Sequence, residues 1–326
     1  MPTWGDILKE INEANTHLIN SGQAHVISGQ DLIRRKYLSA MADKTKRPVI
    51  LYATAWVASA VPNVSPNLTS IVTEDVHGLM EAAHGIAGES LDLIVHSPGG
   101  SPTAAEAMVK YIRSKFTDLR VIVPHMAMSA ATMLACSADR VLMGKHSFLG
   151  PIDPQLIMHT ALGPRAVPAQ AIIAQFERAQ KECADPEKLR AWLPMLNQYG
   201  PDLLETCRNA SELSKQLVQN WLCAYMFKEL PNPKERADPI GEWLAGHNNF
   251  LDHSRPLGRE ELIAKGLIVE SLESDQEMQD IVLSIYHATS HTFTSTLAVK
   301  IIENHLGKAF LKLANAVQMP GQAQAN

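Results

Sequence analysis

Four short apolar runs, three of them leading into segments of helical periodicity, limit what this chain can fold into more than any other feature. "PVILYA" (48–53) is followed, after a polar loop, by "EDVHGLMEAAHGIAG", in which Val76, Leu79, Met80, Ala83 and Ile86 fall at helical spacing. "LDLIVH" (91–96) precedes a helix with Ala104, Met108, Ile112 and Phe116 on one face. "RVIVPH" (120–125) precedes the short small-residue helix "SAATMLACSA", and "DRVLMG" (139–144) supplies a fourth strand. Apolar strands joined by helical crossovers predict an α/β fold, with a parallel sheet covered on both faces.

The remainder of the chain is read as mostly helical. From about 168 to 230 the pattern gives "AQAIIAQFERAQKECA", "PEKLRAWLPML" and "ASELSKQLVQNWLCAYMF", after which Pro231, Pro233 and Pro239 interrupt it. "REELIAKGLIVES" reads as helix, glycine stop and short strand, and a last helical stretch is expected over about 276–315. The organisation expected is an N-terminal helical segment (1–44), a main domain (45–272) with a helical insertion at about 168–230, and a C-terminal helical segment and tail (273–326).

Composition excludes several classes of function. The net charge of −5 gives no global reason to expect nucleic acid as partner. Nowhere do about 18 apolar residues run without a charge, so no transmembrane helix is expected. The N-terminus lacks the apolar block of a signal peptide, and Cys136, Cys183, Cys207 and Cys223 are widely spaced. A soluble, cytoplasmic chain with reduced thiols is the expectation.

"HSPGGSPTAAEAMVKYI" (96–112) places two glycines between a strand end and a helix start. Glycine there lets the backbone approach a ligand closely and adopt angles that other residues avoid. Ser101 or Thr103 can cap the helix, with Pro102 in its first turn. Exposed N–H groups at such a junction can bind a phosphate or a developing oxyanion, although a plain tight turn uses the same residues. At the next junction, Ser129 in "VPHMAMSAATMLACSADRVLMG" falls between a strand and a helix of small residues. Its hydroxyl is expected at the same sheet edge as Gly99 and Gly100, as a nucleophile or as a simple helix cap.

Together, "HSPGG", "HMAMSAATMLACSADRVLM" (125–143) and "SFLGPIDPQ" (147–155) resemble the serine dehydrogenase proteinase family. That family is related to signal peptide peptidase A and, more distantly, to the proteolytic subunit of Clp protease. "HSRPLGREELIAKGLIVES" (253–271) adds weaker support. The resemblance implies the ClpP/crotonase fold, built from repeated β-β-α units, and a serine peptidase that works through an acyl-enzyme without a cofactor. Ser129 matches the nucleophile, Gly99 and Gly100 match the glycines of the oxyanion hole, and the Ala130 N–H would be the second donor. Clp-type enzymes carry their base, a histidine, about 25 residues after the serine, where this chain has Pro154. The peptidase A branch uses a lysine instead. Lys181 lies close to that spacing, with Ala174 and Phe176 but also Glu177 and Glu182 near it in sequence. A lysine base must be held neutral by burial.

His96 and His125 end adjacent strands, and Asp153 sits between prolines in "GPIDPQ"; each is a candidate for lining the site or for a structural role. His287 and His291 are spaced i, i+4, but no third ligand is evident and no metal is expected. Peptide or unfolded protein is the expected substrate. Trp192, Leu193, Leu196, Leu217, Trp221 and Tyr225 supply enough apolar surface to suggest a homo-oligomer. Two alternatives stay open: a scaffold that binds without catalysing, and an acyl-CoA hydratase or isomerase of the crotonase type.

Overall fold

A computed structural model describes residues 1–23, 27–160 and 163–314. Two helices open the chain, α1 (Trp4–Asn20) and α2 (Gly29–Thr45). Thr3 and Asp6 close a capping box on α1, and Ser28 caps α2 through the Asp31 N–H. Alternation follows: β1 (Val49–Thr54), α3 (Pro66–Thr69), α4 (Asp75–Ala83), β2 (Ser90–His96), α5 (Pro102–Lys115), β3 (Asp118–Val123), β4 (Met126–Ala127), α6 (Ala130–Cys136), β5 (Arg140–Met143) and β6 (Phe148–Leu149). A hairpin, β7 (Gln155–Thr160) and β8 (Gly163–Pro168), precedes α7 (Ala169–Glu182), α8 (Pro186–Leu196) and α9 (Leu203–Trp221). The chain continues through α10 (Pro233–Ala245), α11 (His247–Phe250), β9 (Leu257–Gly258), α12 (Arg259–Ala264) and β10 (Val269–Ser271) to α13 (Gln276–Ser295), β11 (Ala298–Asn304) and β12 (Ala309–Leu313).

The central sheet runs β10-β5-β3-β2-β1-β11-β12. Its first five strands are parallel, as the apolar runs predict, and β11 is antiparallel to both β1 and β12. Burial on both faces explains the missing polar alternation. Ile50, Tyr52, Leu93, Val95 and Val121 face one core, shared with α4, α5, α6, α9 and α10. Leu51, Ala53, Ile94, Ile122 and Leu142 face the other, closed by α2 and α13.

Three expectations are corrected. The last helix ends at Ser295, and 298–313 forms a hairpin that extends the sheet beyond β1. The N- and C-terminal segments are also part of the main body. Arg34 on α2 is buried, donating to Glu303 on β11 at 2.5 Å and to Thr292 on α13 at 2.9 Å. Finally, Leu217 and Trp221 pack into the core rather than onto a free surface, leaving Leu189, Leu193 and Met195 of α8 exposed.

Candidate functional site

Two short contacts beyond the ends of the strands place the glycine loop against Ser129. Ser97 bridges to Ala127, its N–H donating to Met126 O at 3.1 Å and its carbonyl accepting from Met128 N at 2.9 Å. Gly99 (φ +93°) then lies so close to the next loop that a Cβ would sit 2.4 Å from Met128 O and 2.7 Å from Ala130 N. Gly100 (φ +153°) presses on Ile71, where a Cβ would sit 2.4 Å from both the N and the O. Neither position accommodates a side chain. Ile71 bridges to this loop by donating to Gly99 O at 2.7 Å and accepting from Ser101 N at 3.0 Å. Ser101 is the cap of α5, its Oγ accepting from Ala104 N at 3.3 Å.

Ser129 has φ 53° and ψ −120°, a conformation that costs a non-glycine residue of the order of 1–3 kcal/mol. Its hydroxyl makes no cap bond to α6, so the simple capping role is not realised. Every residue of α6 is buried, and Thr132 anchors it by donating to Ala127 O and accepting from Gly150 N, both at 2.9 Å.

The N–H groups near Ser129 are not equivalent. Gly99 N–H donates to Ser97 Oγ at 3.1 Å, so it is already used. Among the described residues, the Gly100 and Ala130 N–H groups have no acceptor. The expected oxyanion donors therefore differ in availability: the Gly99 N–H is spent on Ser97 Oγ, and those of Gly100 and Ala130 are free.

Gly100 and Ser129 line a cleft of about 520 Å³ that also includes Met133, Ile152, Ser214 and His253. Asp153 lies behind it, 1% exposed. One of its oxygens, Oδ1, accepts from His253 Nδ1 at 2.7 Å; Oδ2 accepts from His247 Nδ1 at 2.9 Å and from Gln155 Nε2 at 3.0 Å. A carboxylate can only accept, so each imidazole presents Nδ1–H to it, and a neutral ring in that tautomer carries its lone pair on Nε2. In the sequence His247 and His253 flank a loop and show only the absence of a metal-binding spacing, because the partner that gives them a role lies 94 and 100 residues away. The available signal was that His253 opens the "HSRPLG" stretch.

Other candidates fall elsewhere. Lys181 is exposed on α7 and is absent from the cleft lining, so it lacks the burial that a lysine base requires. His96 and His125 lie on the α13 side of the sheet, their rings 5.8 Å apart and each beside Tyr286. His96 Nδ1 meets Met126 O at 3.1 Å, and burial, then the neighbouring His125, pushes its pKa down to about 3. Burial, then His146, also lowers that of His125. Both shifts favour the uncharged imidazole, and neither histidine lines the cleft. Among the described residues, no His, Cys, Asp and Glu group has the makings of a metal site. No helix among them is long and apolar enough to cross a membrane.

Residues 66–191 match the family described as ClpP-like SDH-type serine proteinase. The uncharacterized protein MJ0137 of Methanocaldococcus jannaschii is 31% identical over 228 residues, covering 70% of this chain and 72% of that protein. A second uncharacterized protein of that organism, MJ1495, is 33% identical over 95 residues, covering 29% of this chain and 30% of that one. Among solved structures, 1510-N membrane-bound stomatin-specific protease in a serine-to-alanine form gives a TM-score of 0.36 at 16% identity, over 62% of this chain and 75% of that one. Its lysine-to-alanine form in complex with a substrate peptide gives 0.38 at 16% identity, over 64% and 73%.

Proposed function

This chain belongs to the ClpP-like SDH-type serine proteinase family, and from that premise we propose that it is a serine peptidase with Ser129 as nucleophile and His253 as general base. One observation carries the reading. A serine with an unspent hydroxyl shares one cleft with Gly100, whose N–H is unpartnered, and a carboxylate-held imidazole, and the unpartnered Ala130 N–H follows the serine directly in the chain.

In this mechanism Ser129 Oγ attacks the peptide carbonyl carbon as His253 Nε2 takes the hydroxyl proton. The carbonyl oxygen becomes an oxyanion and accepts from Gly100 and Ala130 N–H, each such donor being worth about 10²–10³ in rate. Collapse breaks the C–N bond, and the departing amine leaves with the proton held by His253. Water, deprotonated by His253, then attacks the ester and releases Ser129 and a carboxylic acid. Asp153 keeps the imidazole in the required tautomer and offsets the charge it gains. Unfolded peptide is the substrate class, because an extended segment can enter a cleft whose nucleophile lies among buried elements. Self-association through the exposed α8 residues Leu189, Leu193 and Met195 belongs to the same proposal. Light scattering tests it, and a mass of 35.7 kDa refutes it.

The deciding experiment is labelling with a fluorophosphonate probe, alongside hydrolysis of a quenched peptide library. Wild type and Lys181→Met should label and hydrolyse, while Ser129→Ala and His253→Ala should do neither. Retained CoA with no labelling would favour the acyl-CoA alternative. An inactive Lys181→Met beside an active His253→Ala would return the base to the lysine.

A further inference from the structure

The proposed chemistry leaves one fully buried ion pair unused. Lys300 on β11 donates from Nζ to Asp75 Oδ1 at 2.6 Å, to Asp75 Oδ2 at 2.8 Å and to Ser70 O at 2.8 Å. Those bonds use all three ammonium protons. Asp75 opens α4, and its Oδ2 also accepts from Tyr52 Oη at 2.7 Å and Val72 N at 3.0 Å. A buried ion pair is weak evidence for stability, since apolar residues of similar volume commonly serve as well. Its geometry offers another reason for its presence.

Ser70 O and Val72 N are gripped by the pair, and the residue between them is Ile71. Both backbone groups of Ile71 bond to the glycine loop, at Gly99 O and Ser101 N. This bridge pattern turns the N–H of Gly100 away from Ile71 and leaves it without a partner. The Tyr52 hydroxyl steadies the Asp75 carboxylate from the strand next to β2, and Ser97 Oγ at the end of β2 holds the Gly99 N–H at 3.1 Å. Gly99 is thus fixed at its N–H through Ser97 and at its carbonyl through Ile71, and the hold at the carbonyl leads back to Asp75.

We propose that the Lys300–Asp75 pair is a positioning device that holds the Gly100 N–H in the direction an oxyanion requires. The proposal rests on the peptidase reading above. It makes the C-terminal hairpin a working part of the site, although neither Lys300 nor Asp75 lines the cleft.

The test uses the full chain with Tyr52→Phe, Lys300→Met and the charge-neutral pair Lys300→Met with Asp75→Asn. Misdirecting one donor should lower kcat about 10- to 100-fold and leave KM within about twofold. Affinity for a peptide aldehyde, whose hemiacetal oxygen occupies the oxyanion position, should fall in step with kcat. Should Lys300→Met fail to fold, Tyr52→Phe carries the test, since it removes only a hydroxyl. A neutral double variant that regains both melting temperature and full kcat would reduce the pair to a structural role and overturn the proposal.

A readout independent of catalysis separates this inference from the peptidase reading. With glycine labelled by nitrogen-15, the Gly99 and Gly100 amide signals should move in Tyr52→Phe while those of Gly22 and Gly85 stay. Unmoved Gly99 and Gly100 signals overturn the positioning role, whatever the activity. Moved signals in a protein that hydrolyses no peptide would uphold the positioning of the loop and sink the peptidase assignment alone.

Discussion

The two faces of the sheet bury polar groups near the same edge but treat them in opposite ways. On the cleft side, Lys300 and Asp75 form a buried pair in which the ammonium nitrogen and both carboxyl oxygens have partners, while Asp153 is bonded by two histidines and a glutamine. On the α13 side, Trp56, His96, His125 and Tyr286 form a chain of rings, and Trp56 Nε1, His146 Nε2 and His287 Nδ1 have no partner among the described residues. Removing a charge from water is tolerable only when its bonds are replaced, so the satisfied side can keep ions. On the α13 side burial instead lowers the pKa values of His96, His125 and His287, which favours their uncharged forms. Disturbing the first side should therefore change turnover, and disturbing the second should change stability toward acid.

The largest expected effect comes from Asp153→Asn on the cleft side. The amide can donate as well as accept, so it no longer enforces the Nδ1–H tautomer of His253, and kcat should fall by about 10⁴. Steady-state kinetics check this, with fluorophosphonate labelling slowed in step. A variant retaining a tenth of wild-type turnover would detach Asp153 from the mechanism.

Gly100→Ala comes next. The added methyl would meet the Ile71 backbone at 2.4 Å, so the loop must shift and misdirect its N–H. A fall in kcat of about 10²–10³ is expected, with a lowered melting temperature. Gly85→Ala supplies the control, because its φ of +79° is also unfavourable for alanine while nothing lies within 4 Å. Comparable loss of turnover in both variants would remove the reason to single out the Gly100 N–H.

His96 sharpens the other half of the comparison. Its pKa is about 3 in the fold, against a reference of 6.5, so between those values the unfolded chain binds a proton that the native one does not. Stability should fall as pH drops through that window, at up to about 1.4 kcal/mol per pH unit. His96→Asn, which can still donate to Met126 O, should flatten the dependence of the urea midpoint between pH 7 and pH 5. An unchanged slope would show that another group controls acid sensitivity. His125 and His287 share the direction and contribute the remainder.

Lys181→Met should matter least. As an exposed helical position it should move stability by no more than about 0.5 kcal/mol and leave kcat/KM within twofold. Complete inactivation would contradict the position of the base proposed here.

Much of this fold is legible in the chain because its parallel strands are sequential and buried on both faces. "VILYA", "LDLIV", "RVIV" and "RVLM" announce themselves by apolar content alone, and the glycine pair and Ser129 follow from their place after such runs. Residues 298–313 did not, since their apolar residues also satisfy helical spacing. What settles them as strands is register: Ala53 pairs with Ile301, and Gly307 at φ +84° turns the chain back. Local pattern cannot register a partner some 250 residues away, so tertiary pairing overrides it.

The same separation governs the site. Sequence determined where Ser129 and the glycine loop lie, because both follow consecutive strand ends and the glycines are dictated by backbone angles. Which N–H remains free, which histidine meets Asp153, and that Lys300 is buried rather than solvated were decided by the tertiary structure alone. Hydrogen bonds and burial depend on where distant segments come to rest, and side-chain chemistry carries no record of that distance.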